Sequence, residues 1–323
     1  MKITCIGSGF FSIAIANLLA KNENNHVMIW SHDKNWVSKC EKKNQLLVSN
    51  YPSIAKPSNI SLTTSYDTAL EDCEVLFILT SSKYYLDVMN ELKYYSFKGK
   101  TIFIGTKGML SMSPYYLSSF TKSALKSSNI AYFAGPNFAH NLLELNPAII
   151  TLASKKKKLY KIFKNLLPDF ALEYTSYSYA LELASVLKNI YAIGAGLIHG
   201  KYPSSSSNVS YTSLAYKEMC CLIKEATLCY TISDIQGILG DFFLTNMNQE
   251  SRNFAFGMAR FKSSNEASNY LKCHTVEGYE NLENIVNFLG KSLNFYPILY
   301  TIYDIIYKNK KADMLVEICF KRN

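Results

Sequence analysis

Lys188 is a charged residue in the middle of a largely apolar run, from Leu181 to Gly200. The run predicts a helix that is buried on nearly every face. Burial disfavours the ammonium form, and a lysine with a lowered pKa can exchange protons near neutral pH. The alternative is a lysine whose ammonium reaches water at the edge of the helix. The run therefore predicts either a general acid–base residue or a side chain without a chemical role.

Polar residues further along the chain supply what a catalytic lysine would need. Asp241 lies among apolar residues and is a carboxylate that would set the pKa or the orientation of Lys188. Arg252 can bind a phosphate through two parallel hydrogen bonds, and Asn253 and Thr245 can add neutral donors. These residue types favour a small phosphorylated substrate.

A glycine-containing turn near the start of the chain predicts a dinucleotide site. The strand pattern at 2–7 ends at Gly7, a second glycine follows at Gly9, and an apolar helix pattern begins at Ile13. The first glycine permits the tight turn, and the second lets the backbone approach a pyrophosphate at the helix N-terminus. Ser12 replaces the third glycine of the usual fingerprint, which weakens the motif but keeps a small residue for packing.

The end of the second strand pattern, His26–Trp30, bears on the choice between NAD and NADP. An acid at this position hydrogen-bonds the ribose 2′-hydroxyl of NAD, whereas a cation accommodates the 2′-phosphate of NADP. The run 31–34 (Ser-His-Asp-Lys) contains both kinds of residue. His32 and Lys34 favour NADP, and NAD stays open. The alternative for His32 is a loop residue without a role.

Strand and helix patterns alternate up to about residue 178. The later strand patterns are Val75–Thr80, Thr101–Gly105, Ile130–Phe133 and Ala148–Ala153. The alternation predicts a Rossmann-like α/β sheet, and ligands of such sheets bind beyond the carboxyl ends of the strands. Ser81, Lys107 and Gly135 are expected at that edge beside the glycine turn. Lys107 would suit a phosphate or a substrate hydroxyl, and its alternative is a surface lysine.

The rest of the chain shows helix patterns only. They cover Ala180–Leu197, Ser210–Ile232, pieces from Asp241 onward, Gly278–Leu289, Pro297–Tyr307 and Ala312–Phe320. The change of pattern predicts an α/β dinucleotide-binding domain at 1–178 and an all-helical substrate and catalytic domain at 179–323, with a cleft between them. Glu277 begins one of these helices, where a carboxylate is favoured by the helix dipole whatever else it does.

The charge and the apolar runs argue against two classes of partner. The formal net charge is +9, and basic residues cluster at 155–158 and 308–311. Neither cluster contains the interleaved aromatic residues of a nucleic-acid platform, so we expect steering of small anions and no nucleic-acid binding. The apolar run 181–197 is interrupted by Glu182 and Lys188 and falls short of the roughly 20 residues of a membrane span, so we expect no membrane insertion.

The cysteines and the N-terminus predict a location in the cytoplasm. The eight cysteines include no CxxC pair and no Cys/His spacing suited to zinc, so we expect reduced thiols and no metal. The first residues enter a strand without the apolar segment and cleavage site of a signal peptide. A homodimer is the default assembly.

These motifs, in this order, resemble the NAD(P)-dependent glycerol-3-phosphate dehydrogenases of bacterial type. The resemblance covers nearly the full chain and rests on GSGFFSIAIA (7–16), IWSHD (29–33), TKG (106–108), GPNFAHNL (135–142), LKNIYAIGAGLIHG (187–200), GILGDFFLT (237–245), SRNFAFG (251–257) and VEGYEN (276–281). It implies that dihydroxyacetone phosphate and sn-glycerol 3-phosphate are interconverted by hydride transfer with NAD(P)H, which feeds glycerophospholipid synthesis.

The resemblance also implies a role for each matching residue. Lys188 falls at the acid–base residue for the substrate oxygen. The substrate positions are Lys107, Gly135, Asn137, Asp241, Ser251, Arg252 and Asn253. The cofactor positions are Gly7, Gly9, Phe10, Phe11, His32, Lys107, Ala139, Arg252, Thr275 and Glu277.

Several residues depart from the family pattern and keep two alternatives open. They are Ser12 for a glycine, Leu79-Thr80-Ser81 for valine-proline-serine, Ala184 and Ser185 for two glycines, Asn141 for an acid, and His199 for an aspartate after a turn at 194–196. The segment 201–210 is expected to be a loop, with Asn208 a candidate for the asparagine of the family's loop. One alternative is a nucleotide-binding protein that has lost catalysis. The other is a related dehydrogenase for a different small phosphorylated or carboxylated substrate.

Overall fold

The computed structural model of the chain describes residues 1–49 and 51–321. Its backbone forms two compact units. The first contains residues 1–106 and 117–178, and the second contains residues 107–116 and the chain from Tyr179 onward. The sequence assigned 107–116 to the first domain because these residues directly follow a strand. The division into domains at residue 178 stays a prediction.

The first unit is built on a mostly parallel sheet. Its strands are β1 (Lys2–Ile6), β2 (His26–Trp30), β3 (Gln45–Leu46), β4 (Ile54–Ala55), β5 (Ile60–Thr63), β6 (Val75–Ile78), β7 (Thr101–Ile104), β8 (Ile130–Ala134), β9 (Ile149–Ala153) and β10 (Ala171–Thr175). β3 pairs with β4, and the others form an eight-stranded sheet in the order β10-β9-β8-β7-β6-β1-β2-β5. β8 and β9 are antiparallel, so β9 and β10 run opposite to the other strands.

The sheet confirms the Rossmann-like α/β fold that the alternating patterns predicted. β6 and β7 lie next to each other near its centre, and all of their residues are buried. Their sequences, VLFI and TIFI, are the continuous apolar runs of strands covered on both faces. β10 was missed, because most of its residues are exposed or half-buried and it carries no such run.

Seven helices accompany this sheet in the described part of the first unit. They are α1 (Phe10–Ala20), α2 (Lys34–Lys43), α3 (Tyr66–Leu70), α4 (Tyr85–Leu92), α5 (Leu117–Ala124), α6 (Ala139–Leu143) and α7 (Lys157–Leu166). α1 begins directly after the glycine turn, three residues before the predicted start at Ile13. The turn therefore delivers the chain straight into the N-terminus of a helix, as a pyrophosphate site requires.

All regular secondary structure in the described part of the second unit is helical, as the sequence predicted for the chain after residue 178. Its helices are α8 (Ser178–Lys201, which begins at the last residue of the first unit), α9 (Ser205–Thr227), α10 (Gln236–Met247), α11 (Arg252–Lys262), α12 (Ser264–Cys273), α13 (Glu277–Leu289), α14 (Pro297–Tyr307) and α15 (Asp313–Phe320). Among the described residues, α8 alone is long and apolar enough to cross a membrane, yet its apolar stretch is entirely buried. α8 is therefore the core helix of this unit.

Glycines let α8 and α11 approach each other closely. A Cβ at Gly196 would lie 2.0 Å from the Phe254 carbonyl oxygen, and a Cβ at Gly257 would lie 2.1 Å from the Ile193 carbonyl oxygen. The expected turn at 194–196 was wrong, because these residues continue the helix. Glycine here serves close packing between two helices.

The expected loop at 201–210 was also wrong over most of its length. α9 begins at Ser205, and the Ser204 hydroxyl caps it by accepting a hydrogen bond from the backbone N–H of Ser207. A run of serines is typical of loops, but a serine directly before a helix is a strong N-cap. Only Tyr202, Pro203 and Ser204 connect the two helices.

The segment 107–116 is held to the second unit by α13. The backbone N–H of Met109 donates to Asn281 Oδ1 at 3.0 Å, and Asn284 Nδ2 donates to the Met109 carbonyl at 3.1 Å. Tyr115 packs edge-on against Phe288, with ring centroids 5.2 Å apart. Lys107, which begins the segment, thus belongs to the same unit as Lys188.

Candidate active site

Lys188 lies deep inside the second unit, with 5% of its surface exposed. Its Nζ donates to the carboxylate of Asp241 and, at 3.0 Å, to the hydroxyl of Thr245. Both partners lie on α10 one helical turn apart, so they face the ammonium together. The Thr245 hydroxyl donates its own proton to the Asp241 carbonyl at 2.7 Å, which leaves its lone pairs for the lysine. The alternative of a lysine that reaches water is therefore wrong.

The electrostatic surroundings of Lys188 suit proton transfer. Its pKa is lowered to about 8, chiefly because burial disfavours the ammonium. The carboxylate of Asp241 opposes this shift, and the positive charge of Lys107 adds to it. A lysine with this pKa populates both protonation states close to physiological pH, as a general acid–base residue must.

A chain of amides ties the helices around Lys188 together. Asn253 Nδ2 on α11 donates to Asn189 Oδ1 on α8 at 3.0 Å, and Asn189 Nδ2 donates to a Glu277 carboxylate oxygen at 2.9 Å. The backbone N–H of Gly278 donates to Asn253 Oδ1 at 2.8 Å. Asn253 and Glu277, which the resemblance placed at substrate and cofactor positions, thus also hold α8, α11 and α13 in register.

The start of α11 carries the residues that were predicted to bind a phosphate. Ser251 is buried and caps the helix by accepting from the backbone N–H of Phe254 at 3.4 Å. Arg252 follows as the first helical residue and is exposed. An exposed guanidinium beside the free N–H groups of a helix N-terminus is suited to an anion. Thr275 is exposed in the connection between α12 and α13.

In the first unit, the glycine turn has the geometry that a dinucleotide needs. Gly7 is buried with φ of +122°, a left-handed conformation that other residues rarely adopt. A Cβ at Gly9 would meet nothing within 4 Å, so the space above the turn is open. Gly9 offers α1 no side-chain cap, which leaves N–H groups of the first turn for a phosphate. The Ser12 hydroxyl donates to the Gly7 carbonyl at 2.7 Å and ties the helix to the turn.

Aromatic residues and the end of β2 flank this turn. Phe10 and Phe11 are half-buried. The ring centroid of Phe10 lies 4.7 Å from that of Tyr51, and the ring centroid of Phe11 lies 6.1 Å from that of Phe133. Asp33 caps α2 by accepting from the backbone N–H of Trp36 at 2.9 Å. This carboxylate is therefore engaged with its own helix, whereas His32 is exposed.

Asn137 is a buried amide without a protein partner. It is 6% exposed, and neither its Oδ1 nor its Nδ2 makes a hydrogen bond within the described structure. Leaving such groups unpaired costs about 1–3 kcal/mol each, so a ligand that pairs with them would recover that cost. Close packing explains the glycine at position 135, because a Cβ there would lie 2.2 Å from the Ile149 carbonyl oxygen. Ala139 is half-buried at the start of α6.

The structure brings several of the predicted residues into contact. Lys188 and Asp241 meet, as predicted, and Asn253 and Glu277 meet through Asn189, which the sequence reading missed. Thr245 was expected to be a neutral donor to a phosphate, and the structure shows its hydroxyl accepting from Lys188 Nζ on the same helix face as Asp241. No signal in the sequence marked Asn189, since its value depends on which helices surround α8. Each residue's role towards a substrate or cofactor stays a prediction.

Comparisons with known proteins agree with both units. The N-terminal and C-terminal family regions described as NAD-dependent glycerol-3-phosphate dehydrogenase match residues 2–160 and 178–317. A glycerol-3-phosphate dehydrogenase [NAD(P)+] of Blochmanniella pennsylvanica is 30% identical over 96% of this chain and 91% of its own length. One from Rickettsia rickettsii is 30% identical over 100% of this chain and 98% of its own length.

Solved structures show the same fold. A glycerol-3-phosphate dehydrogenase from Coxiella burnetii has a TM-score of 0.90 at 22% identity, with 99% of each chain covered. A glycerol-3-phosphate dehydrogenase from the yeast Saccharomyces cerevisiae has a TM-score of 0.85 at 16% identity, again with 99% of each chain covered. A D-mandelate dehydrogenase bound to NADH is more distant, with a TM-score of 0.63 at 12% identity and coverage of 98% and 99%.

Proposed function

We infer that this chain, which belongs to the NAD-dependent glycerol-3-phosphate dehydrogenase family, interconverts dihydroxyacetone phosphate and sn-glycerol 3-phosphate with NAD(P)H. The observation that carries the inference is Lys188, a buried lysine of lowered pKa held by Asp241 and Thr245. Such a group has the protonation behaviour that reversible reduction of a ketone requires.

Lys188 is the proton donor when the ketone is reduced. NAD(P)H, held by the residues of the glycine turn, would supply the hydride to the carbonyl carbon. As negative charge builds on the substrate oxygen, the Lys188 ammonium stabilises it and donates a proton to it. In the oxidation, the neutral amine accepts the proton of the substrate hydroxyl. Asp241 and Thr245 hold Nζ in place for both directions.

Arg252 is the main phosphate ligand in this proposal. It is exposed at the N-terminus of α11, where N–H groups also favour an anion. Ser251, Asn253 and Lys107 add donors, and Asn137 supplies an unpaired buried amide for a further polar group of the substrate. The substrate is thus a small phosphorylated molecule.

The cofactor is NADP or NAD, and the proposal favours NADP. The residues of the glycine turn fit a dinucleotide, since Gly9 leaves open space at an uncapped helix N-terminus. Asp33, the acid that would accept from the ribose 2′-hydroxyl of NAD, is engaged as a helix cap. Lys34 is exposed and carries the positive charge that a 2′-phosphate requires, and His32 is exposed beside it. The ratio of kcat/KM for NADPH and NADH measures this preference.

Other aspects of the proposal follow from the family and the composition. The protein acts in the cytoplasm on a small metabolite, without nucleic acid or membrane insertion, and a homodimer is the default assembly. Its product would feed glycerophospholipid synthesis.

The direct test is oxidation of NADPH and NADH in the presence of dihydroxyacetone phosphate. Turnover that depends on both substrates is expected, with little turnover for small 2-oxo acids that lack a phosphate. Cofactor binding without turnover would instead assign a nucleotide-binding protein that has lost catalysis. Faster turnover with a carboxylated ketone would assign a related dehydrogenase.

A further inference from the structure

Asn246 lies next to Thr245 on α10 and is fully buried. Its Nδ2 donates to the Lys188 carbonyl at 3.2 Å and to the Phe242 carbonyl at 2.8 Å. Phe242 is one turn earlier on α10, so this amide bridges its own helix to the main chain of the lysine. α10 therefore holds Lys188 at both ends, since Asp241 and Thr245 hold Nζ.

An amide at this position has a cost that folding alone does not explain. Its Oδ1 is buried without a hydrogen-bond partner among the described residues. The side chain cannot reverse, because only its NH2 group can donate to two carbonyls. Both carbonyls lie inside helices, where each already has a backbone N–H partner. An unpaired buried carbonyl destabilises the fold, and a leucine, which has the same branched shape, would avoid that cost.

We propose that Asn246 is a positioning residue that locks the main chain of Lys188 to α10 and so fixes the ammonium between Asp241 and Thr245. A lysine has a flexible four-carbon side chain, so holding Nζ alone does not fix the main chain of α8 relative to α10. A misplacement of about 1 Å in a reacting group can cost about a hundredfold in rate. The proposal rests on the proposed function, because it assigns Lys188 to the proton transfer.

The test compares Asn246→Leu with a matched variant, Thr212→Val. Thr212 on α9 is also fully buried, and its Oγ1 also makes no hydrogen bond to any residue that the structure describes. Each substitution removes an unpaired buried oxygen and keeps the branched shape of the side chain; valine is close to threonine in size, whereas leucine is bulkier than asparagine. We expect Thr212→Val to keep or raise the melting temperature, and the melting temperature of Asn246→Leu is measured beside it so that any loss through overpacking is recognised. Only Asn246→Leu should lower kcat, by about tenfold to a hundredfold, with the affinity for NADPH unchanged.

A second measurement follows Lys188 without any turnover. Cyanate carbamylates neutral amines, and peptide mass spectrometry gives the rate at Lys188 as a function of pH. The midpoint in the unaltered protein is expected at about 8. The Asp241 carboxylate favours the charged form of Lys188. In Asn246→Leu the ammonium loses its firm contact with this carboxylate, so the midpoint should fall by about half a pH unit. In Thr212→Val it should not move.

The outcomes separate this proposal from the proposed function. The proposal is overturned if Asn246→Leu leaves the carbamylation midpoint unchanged, whether kcat is unchanged or falls together with the melting temperature. The latter pattern would assign Asn246 a structural role only. If the unaltered protein has no dehydrogenase activity but the midpoint falls in Asn246→Leu alone, the proposed function fails and the positioning role stands.

Discussion

At the scale of single residues, the charge of Lys188 is the feature on which the proposed mechanism depends. We expect Lys188→Met to lower kcat by about 10²–10⁴-fold, because the substrate oxygen loses its proton donor. Cofactor affinity, measured by NADPH fluorescence, should stay unchanged. Lys201→Met is the matched control, since Lys201 ends the same helix and forms a part-exposed ion pair with Asp313. Equal losses in the two variants would argue against Lys188 as the acid–base residue.

The lowered pKa of Lys188 gives the two reaction directions opposite pH dependences. Ketone reduction needs the ammonium, so its rate should fall as the pH rises through about 8. Alcohol oxidation needs the neutral amine, so its rate should rise through the same range. Asp241 raises this pKa, and Asp241→Asn should therefore move both limbs to lower pH. Measurements of kcat in both directions from about pH 6 to 10 test these signs. If the pH profiles of Asp241→Asn matched those of the unaltered protein, Asp241 would not act on the pKa of Lys188.

Residues of the candidate site could be predicted from the sequence when their role showed in the local sequence, and not when it depended on contacts with distant parts of the chain. Lys188 and Asp241 stood out because each is charged in an apolar stretch. Asn189 and Asn246 did not, since asparagine is ordinary in sequence and gains its role only from the neighbouring helix. Asp33 was expected to bear on the cofactor, and only the structure showed that its carboxylate caps α2.

At the scale of elements, glycine serves different purposes at the turn before α1 and in α11. Gly9 has φ of −70° and open space around its missing Cβ, so alanine fits the fold there. We expect Gly9→Ala to keep the melting temperature but to raise the KM for the cofactor, because the methyl group occupies the place of the pyrophosphate. An unchanged cofactor KM would show that the dinucleotide does not approach this turn.

Gly257→Ala should have the opposite effect. Its Cβ would lie 2.1 Å from the Ile193 carbonyl oxygen, and backbone atoms cannot move aside as a side chain can. α8 and α11 must then separate, with an expected loss of about 1–3 kcal/mol in the free energy of unfolding. Denaturant unfolding measures this loss. A free energy within about 0.5 kcal/mol of the unaltered protein, as for an ordinary surface substitution, would contradict close packing.

The elements themselves were predictable where hydrophobic period and turn chemistry agreed. The buried strands β1, β2, β6 and β7 were found from their apolar runs. The edge strand β10 lacks such a run, and the reversal of β9 depends on pairing that no local pattern shows. The serines before α9 and the glycines within α8 were assigned to loops or turns because that is their intrinsic preference. In the structure, helix capping and close helix packing override this preference.

At the scale of the whole molecule, the formal charge of +9 should assist the capture of an anionic substrate. Added salt screens this attraction, so kcat/KM for dihydroxyacetone phosphate should fall as ionic strength rises, whereas kcat should change little. The cationic face of α7 contributes through Lys157, Lys161 and Lys164, all exposed and outside the candidate site. Replacing all three by glutamine should lower kcat/KM by about twofold or less and weaken its salt dependence.

The alternative role of this positive charge is the attraction of nucleic acid. The triple glutamine variant of α7 distinguishes this role from the capture of an anionic substrate. If the lysines serve RNA, added RNA should inhibit the unaltered protein at low salt and should bind the triple variant much less tightly. We expect no inhibition, because the aromatic residues between these lysines are not free for bases to stack on: Phe163 is fully buried, and the Tyr160 hydroxyl donates to the Leu172 carbonyl. A salt-independent kcat/KM together with RNA inhibition would contradict substrate steering and assign the charge to a polyanion.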